Sequence, residues 1–130
     1  MKTYKIKHSF CYSKNNRPSL NITLDPYLDD NSLISSSIEC STYNYGKPYL
    51  DDILENLNKV ISGDIEYYEF GEEWGFFECE KKIIVFYDIN KEICRLYTKE
   101  MYNAILEWKN YFLTECKKNK IELLNIPYYK

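Results

Sequence analysis

Apolar and polar residues alternate at the start of the chain. Over Thr3–Tyr12 every second side chain is apolar or aromatic, which is the pattern of a β-strand with one buried face. A turn-forming run at 15–18 follows, and 20–24 alternates again, so the two segments are predicted to pair as a hairpin. The next stretch, 29–37, is rich in Asp and Ser and is expected to be a loop, with a short strand at 38–40.

Two later segments have the spacing of amphipathic helices. From Pro48 the apolar residues recur at intervals of three and four up to Ile61, and Gly63 is expected to end this helix. The second helix is predicted to follow an N-cap at Thr98 and to end in the basic run 117–120, which suits the helix dipole. Its buried stripe is predicted to comprise Met101, Ile105, Trp108, Phe112 and Cys116.

Between the helices the pattern changes to four short strands separated by polar turns. The segments 65–70, 74–79, 83–87 and 92–97 predict an antiparallel meander, and the third is apolar on both faces, which indicates a central position. Together the elements predict a single α+β domain over 1–130, in which an antiparallel sheet, a meander plus the N-terminal hairpin, packs in two layers against two amphipathic helices. The pattern leaves open which edge of the sheet the N-terminal hairpin joins.

Charge is distributed unevenly along the chain. The net charge of −3 divides into +5 over residues 1–24, −12 over 25–80 and +4 over 81–130. Either the acidic middle and the basic ends neutralise each other in the folded molecule, or the acids gather on one surface that attracts a basic partner. An acidic surface repels the phosphates of nucleic acid, whereas a basic nucleic-acid-binding protein complements it.

Aromatic and acidic residues are interleaved most densely in 66–78. Aromatic side chains with a charged surround are typical of protein-binding hot spots, although the aromatics here also suit a core with merely solvated acids. The candidate partner-binding residues are Asp51, Asp52 and Glu55 on the first helix, Glu66, Glu69, Glu72, Glu73 and Glu78 around the hairpin, and the aromatic anchors Tyr68 and Trp74.

Residues that commonly carry catalysis are sparse. His8 is the only histidine, and it alternates with apolar neighbours in a strand, so a structural role is expected. Four glycines form no phosphate-binding loop, and the cysteine spacing does not fit zinc. We therefore expect no catalytic residue, no metal and no cofactor, while the carboxylates of 66–80 leave an acid–base pair open.

The five cysteines are odd in number and form no tight motif, which favours free, mostly buried thiols in a reducing cytoplasm. The first residues lack the apolar run of a signal peptide, and no segment approaches the roughly 18 apolar residues that span a membrane. A cytoplasmic protein without a membrane partner is expected.

Residues 50–114 contain a further arrangement of elements. In order these are an amphipathic helix ending at 57–64, a segment at 68–70, strands at 74–78, 83–88 and 93–98, and a helix that contains Trp108. The arrangement resembles small bacterial immunity proteins that partner polymorphic nuclease toxins, including those of contact-dependent growth inhibition systems. The resemblance implies a stoichiometric toxin inhibitor, but the binding face differs from pair to pair in such families and no binding residue is carried over.

Three other classes of function stay open. A small enzyme or ligand binder would use the carboxylate-rich hairpin, and a cavity joining several acids would favour it. An accessory or self-associating module would pair through a sheet edge or a tyrosine-rich surface. Direct nucleic-acid binding by the basic ends is the weakest, although Lys2, Lys5 and Lys7 alternate along one strand.

Overall fold

The structure, a computed structural model, describes residues 2–14, 16–28 and 32–118. Parts of three predictions lie outside these residues: Asn15 of the first turn, 29–31 of the expected loop and 119–120 of the basic run. The described chain is an α+β arrangement of six strands and three helices. These are β1 (Thr3–Tyr12), β2 (Pro18–Asp25), α1 (Ser32–Tyr45), α2 (Lys47–Ser62), β3 (Tyr68–Glu72), β4 (Gly75–Cys79), β5 (Ile83–Asp88), β6 (Lys91–Tyr97) and α3 (Thr98–Lys118).

The six strands form one mixed sheet in the order β2-β1-β6-β5-β4-β3. The meander from β3 to β6 and the β1–β2 hairpin are antiparallel as predicted, and β5 is an interior strand. However, β1 pairs with β6 in parallel, through Thr3 with Arg95 and Tyr4 with Leu96. The prediction of a purely antiparallel sheet was therefore wrong, because local patterns do not show in which direction a distant strand returns.

Helix α3 holds the part of β1 that β6 does not reach. The parallel pairing ends at Tyr4, because β6 ends at Tyr97 and α3 begins at the next residue. The Ile6 N–H donates instead to Glu100 Oε1 at 2.8 Å. Further along, the rings of Phe10 and Tyr111 stack with their centroids 4.6 Å apart. The start of α3 thus replaces a missing strand partner for β1.

Helix α1 contradicts the expected loop and short strand. Its buried positions have helical spacing, but they alternate the apolar Ile34 and Ile38 with small hydroxyl residues, so no apolar stripe marks the helix in the sequence. The buried hydroxyls find partners: Thr42 Oγ1 donates to the Ile38 carbonyl at 2.7 Å, and Ser37 Oγ donates to the Gly75 carbonyl at 2.9 Å. The described residues therefore form three helices where two were predicted.

The core combines buried residues of the helices with residues at alternate positions of the strands. The predicted α3 stripe is fully buried, and Trp108 Nε1 donates to Thr42 Oγ1 at 2.9 Å, which ties α3 to α1. Strand residues that face the helices, such as Phe77 and Phe86, are also buried, whereas their alternating neighbours remain at least part-exposed. We call this second side of the sheet the open face.

Two helix ends were predicted with different success. Gly63 ends α2 in the left-handed conformation, with φ of +88°, and its N–H reaches the last carbonyls of the helix as expected. Thr98 lies within α3 as its first residue, and its hydroxyl donates to the Glu80 carbonyl at 2.7 Å, which ties the helix to the β4–β5 turn. None of the described helices combines the length and the apolar character needed to cross a membrane.

The cysteines are all free, and three of them lie in the core as expected. Burial raises the pKa of Cys94 to about 12 and that of Cys116 to about 11, since a thiolate is poorly solvated there. The pKa of Cys79 is likewise raised by burial. These three thiols are held in their protonated, unreactive form.

Gly75 is the position where α1 approaches the sheet most closely. A Cβ there would lie 2.7 Å from Ser37 Cβ and 2.8 Å from Ser37 Oγ, so Gly75→Ala must push α1 and β4 apart. We expect a loss of about 1–3 kcal/mol in the free energy of unfolding, measured by chemical denaturation. Ser37→Gly should recover part of that loss in the double variant. Strictly additive effects of the two substitutions would contradict this contact.

Candidate functional site

The β3–β4 hairpin lies at the outer edge of the sheet, where β3 has a neighbour on one side only. Strand β3 begins and ends later than predicted and β4 begins one residue later, so Gly71 and Glu72 belong to β3, and Glu73 and Trp74 form the turn. Gly71 has φ of +110°, and a side chain there would collide with the Gly75 carbonyl. The tight hairpin thus depends on this glycine.

Strand alternation separates the predicted acids of the hairpin. Glu69 and Glu78 are paired across β3 and β4 and share the open face, whereas Tyr68 and Glu72 belong to the set that faces the helices. Glu73 is exposed in the turn, and Trp74 beside it is half-buried. The hairpin therefore presents carboxylates on both sides of a single edge strand.

Glu78 is the centre of a hydrogen-bonded cluster on the open face. The Tyr67 hydroxyl lies 2.6 Å from Glu69 Oε2 and 3.1 Å from Glu78 Oε2, so its proton is shared between two carboxylates. The Tyr87 hydroxyl, from β5, also bonds to Glu78. Partial burial and both carboxylates raise the pKa of Tyr67, and the bond to Glu78 is the main cause of the raised pKa of Tyr87.

Two hollows in the open face meet at Glu78. The larger has a volume of about 430 Å³. Its lining comprises Gly71, Glu72, Glu73, Phe76, Glu78, Tyr87 and Asn90. The smaller, of about 300 Å³, includes Tyr67 and Arg95 in its wall. Arg95 Nη2 lies 3.4 Å from Glu92 Oε1, while its Nε is buried without a hydrogen bond among the described residues.

On the helix side of β3, tyrosines from α1 and α2 meet the acids. The Tyr45 hydroxyl lies 3.4 Å from Glu72 Oε1, and its ring packs 5.4 Å from that of Tyr49. Asp52 interacts with the Tyr68 hydroxyl, and burial, followed by this carboxylate, raises the pKa of Tyr68. A shallow hollow joins these side chains along the strand edge.

Three predicted residues do not join the hairpin acids. Asp51 forms ion pairs with Lys47 and with Lys109 of α3. Glu55 pairs with Lys59 at 3.5 Å, one turn along α2. Glu66 lies before the start of β3, at the end remote from the hairpin turn, where it lines a hollow with Lys81 and Lys82. Asp51 and Glu55 are thus paired with lysines, and Glu66 lies in a hollow that two lysines also line.

The remaining candidates form no ion pair within the described chain. They are Asp52, Glu69, Glu72, Glu73 and Glu78. We call these five acids, with Tyr68 and Trp74, the hairpin surface. Asp51 and Glu55 of α2 are therefore paired with lysines, whereas the five acids of the hairpin surface form no ion pair among the described residues.

Sequence reasoning missed four tyrosines of the site. Tyr45 and Tyr49 come from a helix that was not predicted and from the start of the next one, so no local pattern links them to the hairpin. Tyr67, just before β3, and Tyr87, on β5, reach Glu78 on β4 across neighbouring strands. The contacts of Tyr45 with Glu72, and of Tyr67 and Tyr87 with Glu78, exist only in the folded chain.

Other chemistry is limited in the part of the chain that the structure describes. His8 faces α3, and its Nε2 lies 3.3 Å from Glu107 Oε2 while its ring packs against Phe10. No group of three or more His, Cys, Asp and Glu side chains among the described residues is placed to hold a metal ion. The chain matches no protein-family model, and no match to it was found among curated proteins or solved structures.

Glu78→Gln is expected to lower the pKa of Tyr87 towards its usual value, and that of Tyr67 by less, because Glu69 still faces Tyr67. The pKa of each tyrosine is measured by NMR of a protein labelled at the phenol carbon. Tyr43 is the internal control, since its pKa is raised chiefly by burial and Glu78 is not among the causes. Equal shifts at all three tyrosines would refute the cluster.

Asp51→Asn tests the pairing that removes this acid from the site. Burial raises the pKa of Asp51, but the hydrogen bonds and charges of Lys109 and Lys47 outweigh it, so the pKa lies below its usual value. A lowered pKa stabilises the folded state above the usual Asp pKa, and this contribution is lost as the pH falls through the folded-state pKa. At neutral pH we expect a loss of at most about 1 kcal/mol, because the pair is partly exposed. Chemical denaturation of both proteins at neutral pH and at a pH below the folded-state pKa of Asp51 measures this loss of stability. A loss that persists at the lower pH would contradict the assignment.

Proposed function

We propose that this chain is an immunity protein that binds and neutralises a basic nuclease toxin through the hairpin surface. The observation that supports the proposal is the gathering of five carboxylates, without ion pairs in the described chain, around one protruding edge hairpin. Uncompensated charge of one sign in one place destabilises a free protein slightly, and a partner of opposite charge relieves this cost.

Electrostatics favours a basic protein over the other partner classes. Carboxylates lie on both sides of β3, so a concave basic surface that receives the hairpin would contact acids on the open face and on the helix side together. The cleft of a nuclease is basic because it holds phosphates. A hairpin inserted there would occupy the phosphate positions and exclude the substrate, which is the proposed mechanism of neutralisation.

The surface is also well ordered for binding. Glu69 and Glu78 are held by the Tyr67 hydroxyl, and Glu72 is approached by that of Tyr45. Carboxylates already fixed by neighbouring hydroxyls lose less side-chain entropy when a partner binds. Trp74, half-buried at the tip of the hairpin, offers an aromatic contact next to these charges.

A second candidate function is the binding of a small cationic ligand. The hollow of about 430 Å³ joins Glu72, Glu73 and Glu78, and its volume is within the range of small-molecule sites. This observation favours a ligand binder over an enzyme, because the wall adds to the carboxylates only Gly71, Phe76, Tyr87 and Asn90. The hairpin surface extends beyond this hollow, because Asp52, Glu69 and Trp74 are not among the residues that line it. We therefore prefer a protein partner.

The proposal is tested by co-expressing the tagged chain with the products of the genes adjacent to its own. We expect one basic, nuclease-active product to be retained in stoichiometric amount and its nuclease activity to be suppressed. Replacing Glu69, Glu72 and Glu73 by Lys should abolish retention at moderate salt, because the interface then repels the toxin. If no adjacent gene product binds, the immunity function is refuted.

A matched control separates local charge from net charge. Lys at Glu55, Asp64 and Glu107 makes the same change in net charge on exposed acids of α2, of the loop after it and of α3. Retention and inhibition should be nearly unchanged in this variant. If both triple variants lose retention and inhibition equally, the partner responds only to the net charge of the chain, and the hairpin surface is not the interface.

A further inference from the structure

We infer that the larger hollow beside Glu78 receives an arginine side chain of the basic partner, with its guanidinium bound to the Glu78 carboxylate. The inference rests on the proposed binding of a basic protein and names the chemistry of its central contact. The hollow opens on the side of the sheet that the described helices do not cover, between the hairpin and the β5–β6 turn.

The charges that line the hollow are of one sign. Glu73, Glu78 and the edge residue Glu72 line the hollow together with Asn90, and no Lys or Arg is among the lining residues that the structure describes. A cavity with partly apolar walls strengthens the field of such carboxylates, because fewer waters screen them. The occupant that complements this field is a cation.

The walls favour a guanidinium over an ammonium ion. Phe76 and Tyr87 are cross-strand neighbours whose ring centroids lie 6.5 Å apart, and both line the hollow. A flat, delocalised guanidinium stacks on such rings and forms two parallel hydrogen bonds to one carboxylate. The ammonium of lysine is more strongly hydrated and lacks the planar fork, so it gains less from the same walls.

Glu78 is prepared for this contact by its tyrosines. A carboxylate offers about four lone-pair sites, and the hydroxyls of Tyr67 and Tyr87 occupy two of them. The two sites that remain match the two donors of a guanidinium. Because Glu78 is in the middle of β4 and not in a loop, its carboxylate is positioned before the partner arrives.

The test uses N-acetyl-arginine N-methylamide as the probe, titrated into the isotopically labelled full chain and followed by NMR. We expect saturable shifts at Phe76, Glu78 and Tyr87, and weaker binding of the corresponding lysine derivative. Glu78→Gln should weaken arginine binding about tenfold, as expected when a charged hydrogen-bonded pair is lost. The matched Glu55→Gln variant, an exposed acid on α2, should bind as the unchanged protein does.

Tyr87→Phe provides a second variant if Glu78→Gln fails to fold. It keeps the ring wall but removes the hydroxyl that holds Glu78, so we expect weakening of about twofold to fivefold. Shifts confined to other surfaces, or equal affinity in all variants, would overturn the arginine pocket. Tighter binding of spermidine than of the arginine derivative at the same residues would also overturn it, in favour of a polyamine site.

The outcomes for the pocket and for the proposed function differ. If a nuclease toxin is retained and lost with the hairpin charges, but the arginine derivative gives no shift at Glu78, the pocket is refuted and the immunity function stands. If the derivative binds at Glu78 but no adjacent gene product is retained, the immunity function is refuted and the arginine contact is supported independently.

Discussion

The contact between α1 and β4 at Ser37 and Gly75 is the constraint on which the site depends. The helix approaches the strand so closely because neither residue places a large side chain between them, and the Ser37 hydroxyl completes the contact by bonding to the Gly75 carbonyl. This contact fixes α1 against the hairpin, which the β4–β5 pairing places at the edge of the sheet. It also brings Tyr45, at the end of α1, to Glu72 on β3.

The acidic residues fall into two groups: some form ion pairs with lysines, and others form no ion pair among the described residues. On α2, lysines one turn away or on α3 reach Asp51 and Glu55, and these charges contribute modestly to the fold. The hairpin offers tyrosine hydroxyls instead, which order a carboxylate without neutralising it. The charge of the hairpin is therefore available to a partner, and the charge of α2 largely is not.

Tyrosine has two functions in this molecule. Tyr43 and Tyr111 pack against the rings of Phe112 and Phe10 in and beside the core, whereas Tyr45, Tyr67 and Tyr87 direct hydroxyls at acids on the surface. The second group holds carboxylates that form no ion pair among the described residues. Such a surface is suited to recognition of cations, and this property underlies both the proposed partner and the proposed arginine contact.

The sequence by itself determined the elements whose chemistry is local. Alternation and helical periodicity located β1, the meander, α2 and the buried stripe of α3, because burial of one face imposes those periods on the residues themselves. It did not reveal α1, whose buried face is largely Ser and Thr, or the parallel β1–β6 pairing. Nor did it show which acids are neutralised or which tyrosines reach Glu78. These depend on how the elements pack and on where each side chain points in the fold, not on local periodicity, so only the tertiary structure decided them.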